Sequence, residues 1–141
     1  MSRHLFLAVL FILFQIGMRA GDAEIPEKIK KSFELKFPNA SEVKWERVTA
    51  NQFEVGFVNN GKENLAILNS DGSIAEIETE LQPSELPKRI ISAIKKKFPY
   101  AGINYATKVY RNNTIVAYEL ELKNGSEEFD ITLSPLGFEM E

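Results

Sequence analysis

The side chains with chemistry to offer are carboxylates spaced two apart. Glu76, Glu78 and Glu80 form one series, Glu119 and Glu121 a second, and Glu128 and Asp130 stand beyond them. Residues two apart on an extended strand point the same way, so each series gathers its acids on one face. A pair of carboxylates at the right separation serves as general acid and base, and a cluster of them offers oxygen ligands to a hard cation such as calcium. The plainer account is that these are the outward, solvated positions of a half-buried sheet. Nothing around them announces the deep cleft a glycosidase needs.

The remaining catalytic repertoire is thin. His4 is the one histidine and there is no cysteine; once an N-terminal leader is removed, neither a Ser–His nor a Cys–His nucleophile can be assembled. A transition-metal site would rest on carboxylates alone, which suits neither zinc nor copper. Asn69-Ser70-Asp71-Gly72-Ser73 is rich in oxygen ligands but lacks the register of an EF-hand loop, and reads as a hairpin turn. No catalytic residue, metal site or cofactor is expected. With 17 Lys and Arg against 20 Asp and Glu, the formal net charge is −3. That mixed, mildly acidic balance argues against a nucleic-acid groove, which needs a concentrated basic surface. The one basic run, Lys95-Lys96-Lys97, offsets the negative end of a helix dipole.

The first residues have the form of an export signal: Arg3 and His4, then an apolar core from Leu5 to Ile16, then small residues. Residues 1–23 are read as a signal peptide, with cleavage after Ala23 preferred to Ala20, where Met18 would fill a small-residue site. The apolar run falls short of the ~20 residues a spanning helix needs, and no cysteine is present to carry a lipid. The expected product is periplasmic or secreted, with no membrane insertion after signal removal.

Past the leader, one signature recurs about sixty residues apart. Ile25-Pro26 opens an amphipathic run closing on Lys36-Phe37-Pro38-Asn39-Ala40; Leu86-Pro87 opens another closing on Lys97-Phe98-Pro99-Tyr100-Ala101. Ile25, Ile29, Phe33 and Phe37 make the apolar stripe of the first helix, and Leu86, Ile90, Ile94 and Phe98 that of the second. Proline suits a helix start and disfavours helical geometry just before it, and Ser84 reads as the cap of the second helix. Strands follow at Val43–Val48, Gln52–Val58, Glu63–Leu68 and Ser73–Glu78, with turns at Asn59-Asn60-Gly61 and Asp71-Gly72. The second copy gives Ile103–Arg111, Thr114–Leu122, Glu127–Leu133 and a short Phe138–Glu141. The expected fold is α+β: two α-β4 repeats, 24–82 and 83–141, fused because neither half alone buries enough core without a disulfide.

A helix ending in Lys-Phe-Pro-x-Ala, a Val-x-Trp strand, a Phe-x-Val-x-Phe strand entering Asn-Gly and a strand ending near Asp-Gly, in tandem, resemble the PepSY-like, putative β-lactamase-inhibitor-like family of exported bacterial proteins. The similarity runs from Ile25 to the C-terminus. It implies antiparallel sheets joined into one curved layer with both helices on one face, as in β-lactamase-inhibitor proteins, and a partner protein held against the open side. Tyr105 stands where the first copy has Trp45, Leu136-Gly137 where it has Asp71-Gly72, and the disulfides of the inhibitors cannot form. No binding residue carries over by motif.

Alternation assigns the faces. Val43 and Trp45, with Phe53, Val55 and Phe57, are placed under the helix, matched by Tyr118, Leu120 and Leu122 in the second copy. The open face is then assigned Glu54, Gly56, Val58, Ala66 and Leu68 in the first copy, and Glu119, Glu121, Glu128, Asp130 and Thr132 in the second. An apolar end beside an acidic end fits a protein or peptide with a basic rim, so the candidate partner-binding residues are Val58, Ala66, Leu68, Glu54, Glu119, Glu121 and Asp130. Packing on the second repeat or on a dimer mate is the alternative use of that face. The expected role is an exported, non-enzymatic binding module engaging a protein or peptide of the envelope or exterior, with inhibition by occlusion as one outcome. The alternative is a small-molecule- or cation-responsive envelope module, calcium being the cation its acidic strands suit.

Overall fold

Proline brackets each helix. A computed structural model describes residues 24–141; the expected signal peptide and its cleavage positions lie outside the described residues. Helix α1 spans Glu27–Lys36 and α2 spans Lys88–Lys97, each starting directly after a proline, Pro26 or Pro87. The proline carbonyls accept the first helical bonds, from the N–H of Ile29 and of Ile90, both at 2.9 Å. Each helix ends one residue before a proline, at Phe37 and Phe98, as the steric clash with a following ring requires. Ser84 does not cap α2. It sits in a 3-10 turn, Pro83–Glu85, that Glu85 closes by accepting the Gln82 N–H at 2.8 Å while pairing with Lys62 at 2.6 Å.

Seven strands follow in one antiparallel sheet whose spatial order is the order of the chain: β1 Ser41–Arg47, β2 Gln52–Asn59, β3 Lys62–Asn69, β4 Ile74–Glu80, β5 Gly102–Arg111, β6 Thr114–Asn124 and β7 Glu127–Leu133. The repeats join where β4 pairs with β5, at Ile77↔Tyr110 through Glu80↔Thr107. The eighth strand expected from the duplication is reduced to a single bridge, Leu133↔Glu139. Duplication shows again in how each hairpin meets its helix. Gly72, at φ +88°, passes so close to α1 that a Cβ there would stand 2.6 Å from the Ser32 hydroxyl, and Gly137, at φ +85°, packs the same way on Ala93 of α2.

Both helices cover one side of the sheet. Ile25, Ile29 and Phe33 pack on Phe53, Val55, Phe57, Ala66 and Leu68; Leu86, Ile90 and Ile94 pack on Ala106, Tyr118, Leu120, Leu122, Ile131 and Leu133. Rings reinforce the first cluster, with Phe33 edge-on to Phe57 at 4.9 Å and to Trp45 at 5.3 Å. Trp45 thus lies on the helix side, as its alternation predicts. Its neighbour Val43 does not: a bulge between Ser41 and Lys44, with Glu42 at φ +53°, leaves Val43 exposed on the edge strand.

The register overturns two face assignments. Asn60-Gly61 turns the β2–β3 hairpin with both residues at positive φ, and a two-residue loop pairs Asn59 with Lys62, Val55 with Ala66 and Phe53 with Leu68. Paired residues share a face, so Ala66 and Leu68 lie under α1, fully buried. Leu65 and Ile67 occupy the open face instead. The second correction concerns Tyr105, which pairs with Glu121 on the open side, leaving Ala106 opposite Leu120 in the place that Trp45 holds opposite Val55.

Adjacent residues on opposite faces give a direct test. Leu68→Ala should destabilise by about 2–5 kcal/mol, the range for a buried leucine that leaves a cavity, and Ile67→Ala by about 1 kcal/mol or less. Urea denaturation of the two variants measures this, and equal losses would contradict the register.

Candidate functional site

The uncovered face is built from the other half of the pleat. Across it run Glu46, Glu54 and Ile67 with Glu76 beyond; next come Gly56, Leu65, Glu78, Val109 and Ala117; then Glu80, Thr107, Glu119 and Thr132; then Tyr105, Glu121 and Asp130. Of the sequence-predicted contact residues, Glu54, Val58, Glu119, Glu121 and Asp130 fall on this face, with Glu121 directly opposite Asp130. Ala66 and Leu68 do not, for the reason of register given above. Ile67 supplies the partly exposed apolar position that Ala66 and Leu68 were expected to supply, with Leu65 and Val109 buried on the same side.

No described helix lies over this face, yet its centre is buried. Leu65, Glu78, Thr107, Val109 and Ala117 are all below one-tenth exposed. Glu78, on the middle strand, is 2 % exposed, and among the described residues neither carboxylate oxygen meets a hydrogen-bond donor; the Thr107 hydroxyl, 4 % exposed, is likewise without a partner.

Such burial has an electrostatic signature. Glu78 is pushed up to about 9, first by burial, then by the charges of Glu119, Glu76 and Glu54, and last by the hydrogen bond its neutral carboxyl donates to Glu76. Burial and the neighbouring Glu46 raise Glu54 to about 7. Burial, Glu76 and Asp130 raise Glu119 to about 7 against the opposing pull of Arg111. Asp130 is raised by burial and Glu121, and the Tyr105 phenol by burial and the charges of Glu80, Glu63 and Glu78. Arg111 offsets part of this by donating from Nε to Glu76 at 2.6 Å.

Chemically the face can accept hydrogen bonds and positive charge. The described residues contain no histidine or cysteine, and among them no three acidic side chains converge closely enough to hold a metal ion. The Asn69–Ser73 segment is a turn, as the sequence suggests, with Asp71 accepting from the Ser73 N–H at 2.8 Å and holding its own carboxyl below the usual range. Lys97 at the end of α2 pairs with Glu139, so the basic run is a helix end tied to the C-terminal segment. Sequence reasoning placed Glu76, Glu78 and Glu80 on one face but took that face as solvated. The signal it lacked was the pairing that sets Glu78 between Leu65 and Val109 on the middle strand.

The model of the family described as "Putative beta-lactamase-inhibitor-like, PepSY-like" matches the chain twice, over residues 20–72 and 51–137. Solved structures share the fold. A putative periplasmic protein from Bacteroides eggerthii superposes with a TM-score of 0.74 at 16% identity, covering 82% of this chain and 86% of its own. A BLIP-like protein from Bacteroides fragilis superposes with a TM-score of 0.68 at 18% identity, covering 84% and 86%. No curated protein matches.

The three glutamates raised furthest, Glu54, Glu78 and Glu119, set the pH dependence of stability. Each is neutral more readily in the folded protein than in the unfolded chain, so its contribution is complete below about 4.5 and is lost as pH rises through its folded value. Thermal stability should therefore fall from about pH 5 to about pH 9. Glu78→Gln, whose amide can still donate to Glu76, should raise Tm at the upper end by at least ~4 °C, the effect of about 1 kcal/mol in a domain of this size. Differential scanning fluorimetry across pH checks both. A profile flat over that range, or a Glu78→Gln protein less stable at high pH, would contradict the burial described.

Proposed function

The chain belongs to the PepSY-like, putative beta-lactamase-inhibitor-like family, and from that premise we propose that it is an exported, non-enzymatic binding module whose open sheet face engages a protein or peptide partner. The observation that carries this reading is the asymmetry of the sheet. One side is sealed by two helices, while the other presents Val58 and Ile67 among the carboxylates of Glu54, Glu119 and Glu121 with no described element over it. Large flat or concave surfaces that mix apolar and charged positions are what protein interfaces use. Occlusion of the partner's own working surface is the mechanism by which such binding inhibits.

Three further points support the reading. Residues 24–141 have no histidine or cysteine to serve as nucleophile or general base, and the most perturbed acid, Glu78, is too deeply buried to reach a substrate bond without rearrangement. Among the described residues no helix is long and apolar enough to cross a membrane. The export leader, together with a structural relative called a putative periplasmic protein, supports a periplasmic or secreted location.

A photocrosslinking residue placed at Val58 or Ile67 in the native cell envelope should form a covalent adduct with one defined protein. The same residue at Leu35, which is 85% exposed on α1, should not. Adducts only with a second copy of the chain would make the face a self-association surface, and equal capture from Leu35 would remove the open face from the role.

A further inference from the structure

The two edges of the sheet differ in the charge beside their free backbone groups. At the β1 edge, the direction of each residue follows from the bond that the Val48 N–H donates to the Gln52 carbonyl at 3.0 Å. Antiparallel pairs alternate between bonded and non-bonded, so in the register shared by β1 and β2 Glu46 exchanges bonds with Glu54 and Lys44 with Gly56. Trp45 and Arg47 then turn their N–H and C=O outward, where among the described residues no backbone group meets them. The bulge between Ser41 and Lys44 lies at one end of this stretch; from Lys44 to Arg47 the pairing is regular.

The β7 edge is closed to a second copy in two ways. The C-terminal segment covers part of it, the Met140 N–H donating to the Thr132 carbonyl at 2.9 Å and the Ser134 N–H to the Phe138 carbonyl at 2.8 Å. By the same alternation Glu128 and Asp130 turn their backbone groups outward beside it. Two copies joined about any of Glu127, Glu128 or Asp130 would set that carboxylate against itself, and like charges directly opposite each other oppose pairing. β1 carries both signs instead. Its Arg47 side chain does not guard the edge, because Nε and Nη2 donate to the carbonyls of Thr49 and Ala50 in its own turn, both at 3.2 Å.

We propose that a second copy of the chain adds at the β1 edge, antiparallel, so that two seven-stranded sheets become one. The charges choose the register. Of residues 44–47, Lys44, Glu46 and Arg47 each meet their own charge if they sit on the two-fold axis; Trp45 alone does not. With Trp45 on the axis, the two Trp45 residues exchange N–H to carbonyl bonds, and Lys44 of each copy stands opposite the partner's Glu46. Trp45, half-buried edge-on to Phe33 on the helix side, gains its counterpart as a cross-strand aromatic neighbour. Opposite residues of an antiparallel pair share a face, so the two open faces come to lie side by side. The dimer then offers both at once, which raises avidity without any new contact. The joint itself does not depend on what those faces bind.

Sedimentation velocity of the purified protein, over a concentration series up to about 1 mM, the range of weak association, should show a monomer–dimer equilibrium. Glu46→Lys sets two lysines together at each of two places and should weaken the dimer about tenfold. Lys44→Glu should weaken it as much by setting glutamates together. An equimolar mixture of these two variants should dimerise as well as the parent, because every facing pair is then opposite in sign. The chain has no cysteine, so Lys44→Cys mixed with Glu46→Cys should form the mixed disulfide on mild oxidation in preference to either homodisulfide, whose residues stand diagonally apart. A protein that stays monomeric over the whole series, a Glu46→Lys variant that associates like the parent, or a mixture that fails to restore the dimer overturns the proposal. So does a dimer lost on Val58→Asp and untouched by Glu46→Lys, which would put the joint on the open face.

Discussion

Two residues of a turn decide which half of this sheet meets the helices. Asn60 and Gly61 can both adopt positive φ, so they close a two-residue hairpin, and that loop length fixes every pairing between β2 and β3. Once Val55 is opposite Ala66, the pleat sends Phe53, Val55, Phe57, Ala66 and Leu68 to one side and Glu54, Val58, Leu65 and Ile67 to the other. A slip of one residue in β3 would put Leu65 and Ile67 under α1 and leave Ala66 and Leu68 exposed. The aromatic cluster of Phe33, Phe57 and Trp45 opposes any such slip. The same sorting passes through β4 to the second repeat, where Tyr118, Leu120 and Leu122 fill the place beneath α2.

What remains on the open side follows from the first sorting. The acids that alternation keeps away from the helices are collected on the uncovered face, and the middle one, Glu78, is buried. Glu78 suffers most because it sits on the central strand with Leu65 on one flank and Val109 on the other. Repulsion from Glu119, Glu76 and Glu54 compounds the loss of water. An acid so placed favours the fold in its neutral form and weakens it once ionised.

Much of the fold is legible in the chain. Helix limits are set by Pro26, Pro38, Pro87 and Pro99, hairpins by Asn-Gly and Asp-Gly, and the tandem organisation by the recurrence of Lys-Phe-Pro; all of these are local chemistry. The face of Ala66 and Leu68 was legible too, since a two-residue loop after Asn59 requires Val55 to pair with Ala66, but apolar alternation alone does not carry that arithmetic. Bulges are harder. Those at Glu42 in β1 and between Ile103 and Tyr105 in β5 shift parity within a strand, which exposes Val43 and moves Tyr105 to the open side. The burial of Glu78 could not be read locally at all, because its neighbours Leu65, Val109 and Glu119 come from other strands. Of the candidate contact residues, Glu54, Val58, Glu119, Glu121 and Asp130 stand on the expected face, and Leu65, Ile67, Glu78 and Thr107 join them.

The state of the Glu78 carboxyl tests this account most directly. With carbon-13 introduced into the glutamate side chains and the Glu78 resonance assigned from Glu78→Gln, its chemical shift can be followed as pH is raised. A carboxyl that is still protonated at neutral pH and ionises near 9 is the predicted result. Ionisation in the ordinary glutamate range, near 4.5, would mean that water or a donor reaches the middle of the open face, and the buried centre described here would not exist.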